Sequence, residues 1–133
     1  MTGIDNRLEQ KIGFDRIRRI ISDKCSTTYA AGRTATETFS AKPSQIRKRL
    51  LLTDEMRLIM MFEDGFPSSG FIDCIDFLKP LENSSSAIDI ISLRKLKTML
   101  DTLRRVTAFF EDIKDGVYPN LKRMSASILG FPA

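Results

Sequence analysis

The chain has no histidine, and its two cysteines, Cys25 and Cys74, are far apart with no CxxC pair. A standard zinc site cannot be assembled from such a set, and the commonest general base of enzyme chemistry is missing. No GxxxxGK[ST], GxGxxG or GxSxG motif occurs. The usual phosphate-loop, dinucleotide and hydrolase routes are therefore closed. Long apolar runs are lacking too, since none approaches the ~20 residues that span a bilayer. The opening MTGIDNRLEQKIG mixes both charge signs and has no apolar core of a secretory signal. A cytoplasmic chain without membrane contact is expected. Cys25 and Cys74 then read as reduced, buried thiols on apolar helical faces.

What remains is ordinary globular material. With 133 residues, 42% hydrophobic and 29% charged, the composition fits one soluble domain spanning residues 1–133, with enough apolar surface for a real core. The net charge of +4 permits contact with phosphates or acidic partners without requiring it. Its cations fall in small groups: Arg16, Arg18 and Arg19; Arg47, Lys48 and Arg49; Arg94, Lys95 and Lys97; Arg104 and Arg105. On helices such groups usually form the solvated back of an amphipathic face. Two carboxylate pairs, Asp73 with Asp76 and Glu111 with Asp115, share helical faces by their spacing. Without histidine or a third ligand, surface acids describe them better than a catalytic or metal centre. No catalytic, cofactor-binding or metal-ligating residue is assigned.

The most periodic stretch is Ser92–Ile113. Leu93, Leu96, Leu100, Leu103, Thr107 and Phe110 follow alternating three- and four-residue steps along one helical stripe. Met99, Val106, Phe109 and Ile113 widen it, and Ser92 is placed to cap the first turn. Earlier in the chain, Ile4–Lys11 reads as a short helix interrupted at Gly13. A second follows over Phe14–Cys25, and a third over Thr27–Ser40 with Ser26 as its cap. Pro43 or Ser44 opens a long helix to Glu63, where Ile46, Leu50, Thr53, Met56 or Arg57, and Met60 form one stripe. Leu51, Leu58, Ile59 and Met61 demand contact on a second side. The DGFPSSGF segment is a loop, Phe71–Leu81 a short helix, and Asn120–Leu129 a last one. The β-branched residues at 88–91 allow one short strand. The fold class is all-α, a helical bundle of five to six helices.

Several of these patterns resemble one family. KIGFDRIRRIISDKCST, then Gly32, Arg33 and Ala35, then PSQIRKRLLLTDEM is similar to the amino-terminal opening of the MutS-like proteins of the second bacterial MutS subfamily. Ile12, Phe14, Asp15, Ile17, Ser26, Gly32, Pro43, Ile46, Leu50, Thr53 and Glu55 occupy that family's cap and core places. GFIDCIDFLKPL and Ser92–Phe110 resemble its later segments. The resemblance implies that the 133 residues are the first part of a helical core or lever region in a much longer ATPase. It further implies a coiled-coil clamp, an ATP- and magnesium-binding domain and commonly a carboxy-terminal Smr domain beyond them. The parent would be a homodimer acting on DNA in repair or recombination, or in some relatives on ribosomes. Mismatch recognition is not implied, because the mismatch-reading domain of the repair proteins has no counterpart here. For DNA contact the candidates are Arg18, Arg19, Arg47, Lys48, Arg104 and Arg105, as phosphate neutralisers. A different reading is a self-contained helical adaptor that binds a partner, or itself, through the Leu93–Phe110 stripe.

Overall fold

The computed structural model describes residues 6–83 and 86–128, and every regular element among them is helical. Seven α-helices and one 3-10 turn occur among the described residues, so the all-α class stands. The chain divides into two compact units, Met1–Ser40 and Ala41–Ala133.

The first unit holds α1 (Asn6–Lys11), α2 (Phe14–Ser22) and α3 (Thr28–Ala35). Its interior is built on polar contacts. Arg18 pairs with the buried carboxylate of Glu9, lies 4.6 Å above the Phe14 ring and donates to the Ala35 carbonyl at 3.5 Å. Phe39 returns to stack on Phe14 with ring centroids 4.7 Å apart. The cap of α3 is Thr27, not Ser26: its hydroxyl accepts from Ala30 N at 3.1 Å. This helix also stops at Ala35, short of the expected Ser40. At its end the Thr36 hydroxyl donates to the Gly32 and Arg33 carbonyls at 3.2 and 3.1 Å.

The second unit is organised by α4 (Pro43–Phe62) and α6 (Ile90–Asp112), with α5 (Ile75–Leu78), a 3-10 turn (Lys79–Glu82) and α7 (Pro119–Ser125). Its core is Ile59, Phe110, Tyr118 and Leu121, packed against Leu52, Met56, Leu58, Phe66, Val106, Phe109 and Ile113. Phe66, from the loop after α4, meets Phe109 and Phe110 edge to face at 5.3 and 6.2 Å. That geometry suits the ring quadrupoles. Both long helices pack on α7, which makes the short carboxy-terminal helix the keystone of the unit.

Residues 88–91 form no strand. Ile90 and Ile91 are the first turn of α6, and Asp89, rather than Ser92, is its cap. The Asp89 carboxylate accepts from the amides of Ile91 and Ser92 at 2.9 Å and from the Ser92 hydroxyl at 2.6 Å. Three donors on one carboxylate outweigh the β preference of three isoleucines. The hydroxyl and amide of Ser92, in that order, hold the Asp89 carboxyl below its ordinary value. A lowered value means the cap is in place above the unfolded value of ~3.9 and is lost as pH falls through the folded one. In an acid titration followed by NMR, the Ile91 and Ser92 amide shifts should move with a midpoint under ~3.9, and Asp89→Asn should abolish that movement.

Candidate interaction surface

Helix α4 carries apolar residues on more than one side, with charged residues between them. One side supplies Glu55 and Ile59 to the core, with Leu52 and Met56 beside them. Of the expected stripe, Met56 packs against the core, whereas Ile46, Leu50, Thr53, Arg57 and Met60 are exposed, Leu50 at 65% and Met60 at 59%. On the expected second side Ile59 is buried and Leu58 packs beside it, while Leu51 and Met61 are exposed. Open grooves run along the stripe, one of ≈ 460 Å³ lined by Pro43, Ile46, Arg47, Leu50, Leu51 and Asp54. Met61 and Phe62 are uncovered too.

Two other faces are similarly open. In α2, Ile17, Ile20 and Ile21 are each at least half exposed, and the helix buries no residue. The amino-terminal turn of α6 exposes Ile90, Ile91 and Leu93. The Leu93–Phe110 stripe therefore grades from open at Leu93, through half-buried Leu96, Leu100, Leu103 and Thr107, to buried Phe110. Its most enclosed neighbour is Thr102, which is not on the stripe.

The six phosphate-contact candidates are divided between the two units, and within the second they lie on two helices. Arg18 is turned inward on Glu9 and Phe14, so it is a structural cation rather than a free one. Arg19 is exposed on α2 in the first unit. In the second unit Arg47 and Lys48 are exposed near the start of α4, and Arg104 and Arg105 lie on α6. Arg105 faces a 660 Å³ cleft that it shares with Glu63, Ser68, Ser69 and Asp112, at the far end of α4. At ~1.5 Å per residue that end is roughly 24 Å along the axis from Arg47.

Buried polar groups in the second unit tie the helices together. Glu55 accepts from Asn120 N, Asn120 Nδ2 and Leu121 N at 3.1, 2.6 and 2.7 Å. Tyr118 donates to Glu63 Oε1 at 3.0 Å; burial first, then the Glu63 carboxylate, pushes its hydroxyl above the ordinary value. Cys74 is buried, which with Asp73 nearby raises its thiol, whereas Cys25 is half-buried. Asp115 is lowered by its bond to Lys122 and by the Lys122 charge. Among the described residues no three His, Cys, Asp or Glu side chains cluster as a metal site, and no helix is long and apolar enough to cross a membrane.

Thr102 and Tyr118 escaped sequence reasoning as structural residues, and Glu55 entered it only through the family resemblance. For Glu55 a signal existed, because it lies three residues after Leu52 and four before Ile59, on the apolar line itself. No family model, curated protein or solved structure matches the chain.

Proposed function

We propose that this chain is a non-catalytic helical module that acts by packing its open faces against further helices, as the lever region of a MutS-like DNA-binding ATPase does. The carrying observation is the outer side of α4, where Ile46, Leu50, Met60 and Met61 stand in water along a twenty-residue helix. Several large apolar side chains exposed along one regular helix are the mark of an interface. In the MutS-like reading the parent supplies ATP and magnesium chemistry and contacts DNA in repair or recombination control, in a cytoplasmic setting. The partners of this region are then the clamp and ATPase parts of its own chain. Motion at the ATPase would pass through stiff helices such as α6 if that helix has two packed states which both ends bias.

A second reading keeps the chain independent, as an adaptor docking a partner through the Leu93–Phe110 stripe. The half-exposed Leu93 beside exposed Ile90 and Ile91 favours it. An antibody raised against the chain separates the two on an immunoblot of source cells. The lever reading expects a product several times larger than 15.1 kDa. A product of that size itself would sink the lever reading and leave the adaptor.

A further inference from the structure

The cleft that Arg105 faces combines charges of both signs with an aromatic wall. It lies between the carboxy-terminal half of α6 and the loop after α4, and every residue lining its ≈ 660 Å³ belongs to the second unit. Both walls are fastened. At the end of the loop the Thr102 hydroxyl lies 3.1 Å from the Gly70 carbonyl, in its middle Phe66 meets Phe109 and Phe110 edge to face, and at its start Glu63 accepts from Tyr118. A cleft of this volume with fixed walls suits a small molecule.

Arg105, Ala108, Phe109 and Asp112 share one face of α6 by their three- and four-residue spacing. Arg105 and Asp112 stand at its two ends, roughly 10.5 Å apart along the axis at ~1.5 Å per residue. Both side chains lean toward the start of the helix, which keeps that offset. Glu63 adds a second carboxylate to the lining. The Arg105 guanidinium gives Nη2 to Thr102 at 3.3 Å and the Glu63 carboxylate gives Oε1 to Tyr118, and each has further donor or acceptor atoms. A simple anion would use Arg105 but meet the two carboxylates, and a simple amine would meet the reverse conflict. A molecule that carries an ammonium and a carboxylate at this separation satisfies both ends. An extended chain of three residues spans about 10–11 Å, so a tripeptide with free ends has its charges at the required distance and its middle side chain between them.

We propose that this cleft binds short peptides with free ends, about three residues long, with the α-carboxylate against Arg105, the α-ammonium against Asp112 and Glu63, and an apolar central side chain against Phe66 and Phe109. None of these residues lies within α4, so the proposal is independent of the helix-packing reading.

The test uses the full chain and the tripeptide Ala-Trp-Ala. The chain has no tryptophan, so the peptide indole is the only one in the mixture. Its emission should move to the blue and saturate, with a Kd under about 1 mM for a ligand of this size. The same peptide acetylated at its amino end and amidated at its carboxy end should bind at least about tenfold more weakly. Loss of charge from the cleft should act on one end at a time. Arg105→Gln should weaken the free peptide about tenfold and leave binding of the carboxy-amidated form unchanged. Asp112→Asn should weaken the free peptide and leave the amino-acetylated form unchanged. Arg104→Gln and Glu111→Gln, on neighbours that do not line the cleft, should alter neither. All four variants change exposed side chains, and unchanged helical circular dichroism verifies that each is folded. A shift that never saturates, or equal binding of the free and doubly capped peptides, would overturn the proposal, because the indole would then only be partitioning onto exposed apolar side chains. So would losses in Arg105→Gln or Asp112→Asn that are the same whichever end is capped. A native product near the mass of this chain would remove the lever reading alone, whereas absent peptide binding removes the peptide proposal alone.

Discussion

Glu55→Ala is expected to destabilise the second unit by about 3 kcal/mol, which for a domain of this size lowers the thermal midpoint by roughly 12 to 24 °C. The reason lies in α7. Its cap position, Tyr118, offers no side-chain bond, and Pro119 at the first helical position has no amide to satisfy. The next two amides, Asn120 and Leu121, would be orphans. Both are answered by the Glu55 carboxylate, which projects from α4 and is 7% exposed. Alanine would leave those donors enclosed without an acceptor. Each such loss costs about 1–3 kcal/mol, more than a bond is worth when both partners are absent. Glu55→Gln, which keeps the shape but turns an amide NH2 toward donors, should cost about 1–2 kcal/mol.

A double-mutant cycle makes the assignment specific. Asn120→Ala removes only the 2.6 Å side-chain bond and leaves both backbone bonds to Glu55. Its cost should be about 1 kcal/mol, and its combination with Glu55→Ala should be less than additive. In hydrogen exchange, the Leu121 amide should lose protection in Glu55→Ala before the amides at the middle of α6 do. A loss of stability under about 0.5 kcal/mol would mean that water replaces the carboxylate at no cost, and that α7 is not held by this cap.

The helical class and the positions of both long helices were legible because three- and four-residue spacing is written in the chain itself. α4 ends within one residue of its expected boundaries, and proline opens it as expected. Burial was harder to read. On α4 most of the expected stripe, Ile46, Leu50, Thr53, Arg57 and Met60, is exposed, while the core side carries an acid, Glu55. Periodicity reports that a helix has a stripe and not what lies against it. Arg18 was misread in the same way: its place one turn after Phe14 was visible, but its pairing with Glu9 depends on how the chain turns between α1 and α2. The strand expected at 88–91 failed to one side chain, since Asp89 supplies three hydrogen bonds that propensity does not count. The helix expected over Phe71–Leu81 shrank to Ile75–Leu78 and a 3-10 turn. Just ahead of it, Gly70 has its carbonyl held by Thr102, thirty-two residues away. Such long-range bonds have no local signature.

Gly70→Ala should be the second large loss, again about 3 kcal/mol. Gly70 has φ +89°, where an L side chain costs about 1–2 kcal/mol by itself. A β-carbon there would also overlap the Thr102 hydroxyl and come within 3.4 Å of Arg105 Nη2. Thr102 has nowhere to retreat. It is 0% exposed, and its hydroxyl is 3.1 Å from the Gly70 carbonyl, 2.9 Å from the Thr98 carbonyl and 3.3 Å from the donor Arg105 Nη2. Moving the loop away would relieve the overlap only by surrendering the Gly70 bond. Gly116 supplies the control, because its φ of +88° is nearly the same and nothing lies within 4 Å of an added β-carbon. Gly116→Ala should therefore show the conformational cost alone, about 1–2 kcal/mol, and the excess at Gly70 measures the collision with Thr102. In a Thr102→Ala background that excess should vanish, so that Gly70→Ala falls to the Gly116 value in urea unfolding. If Gly70→Ala costs the same with and without the Thr102 hydroxyl, the loop after α4 is not fastened to α6 at this point.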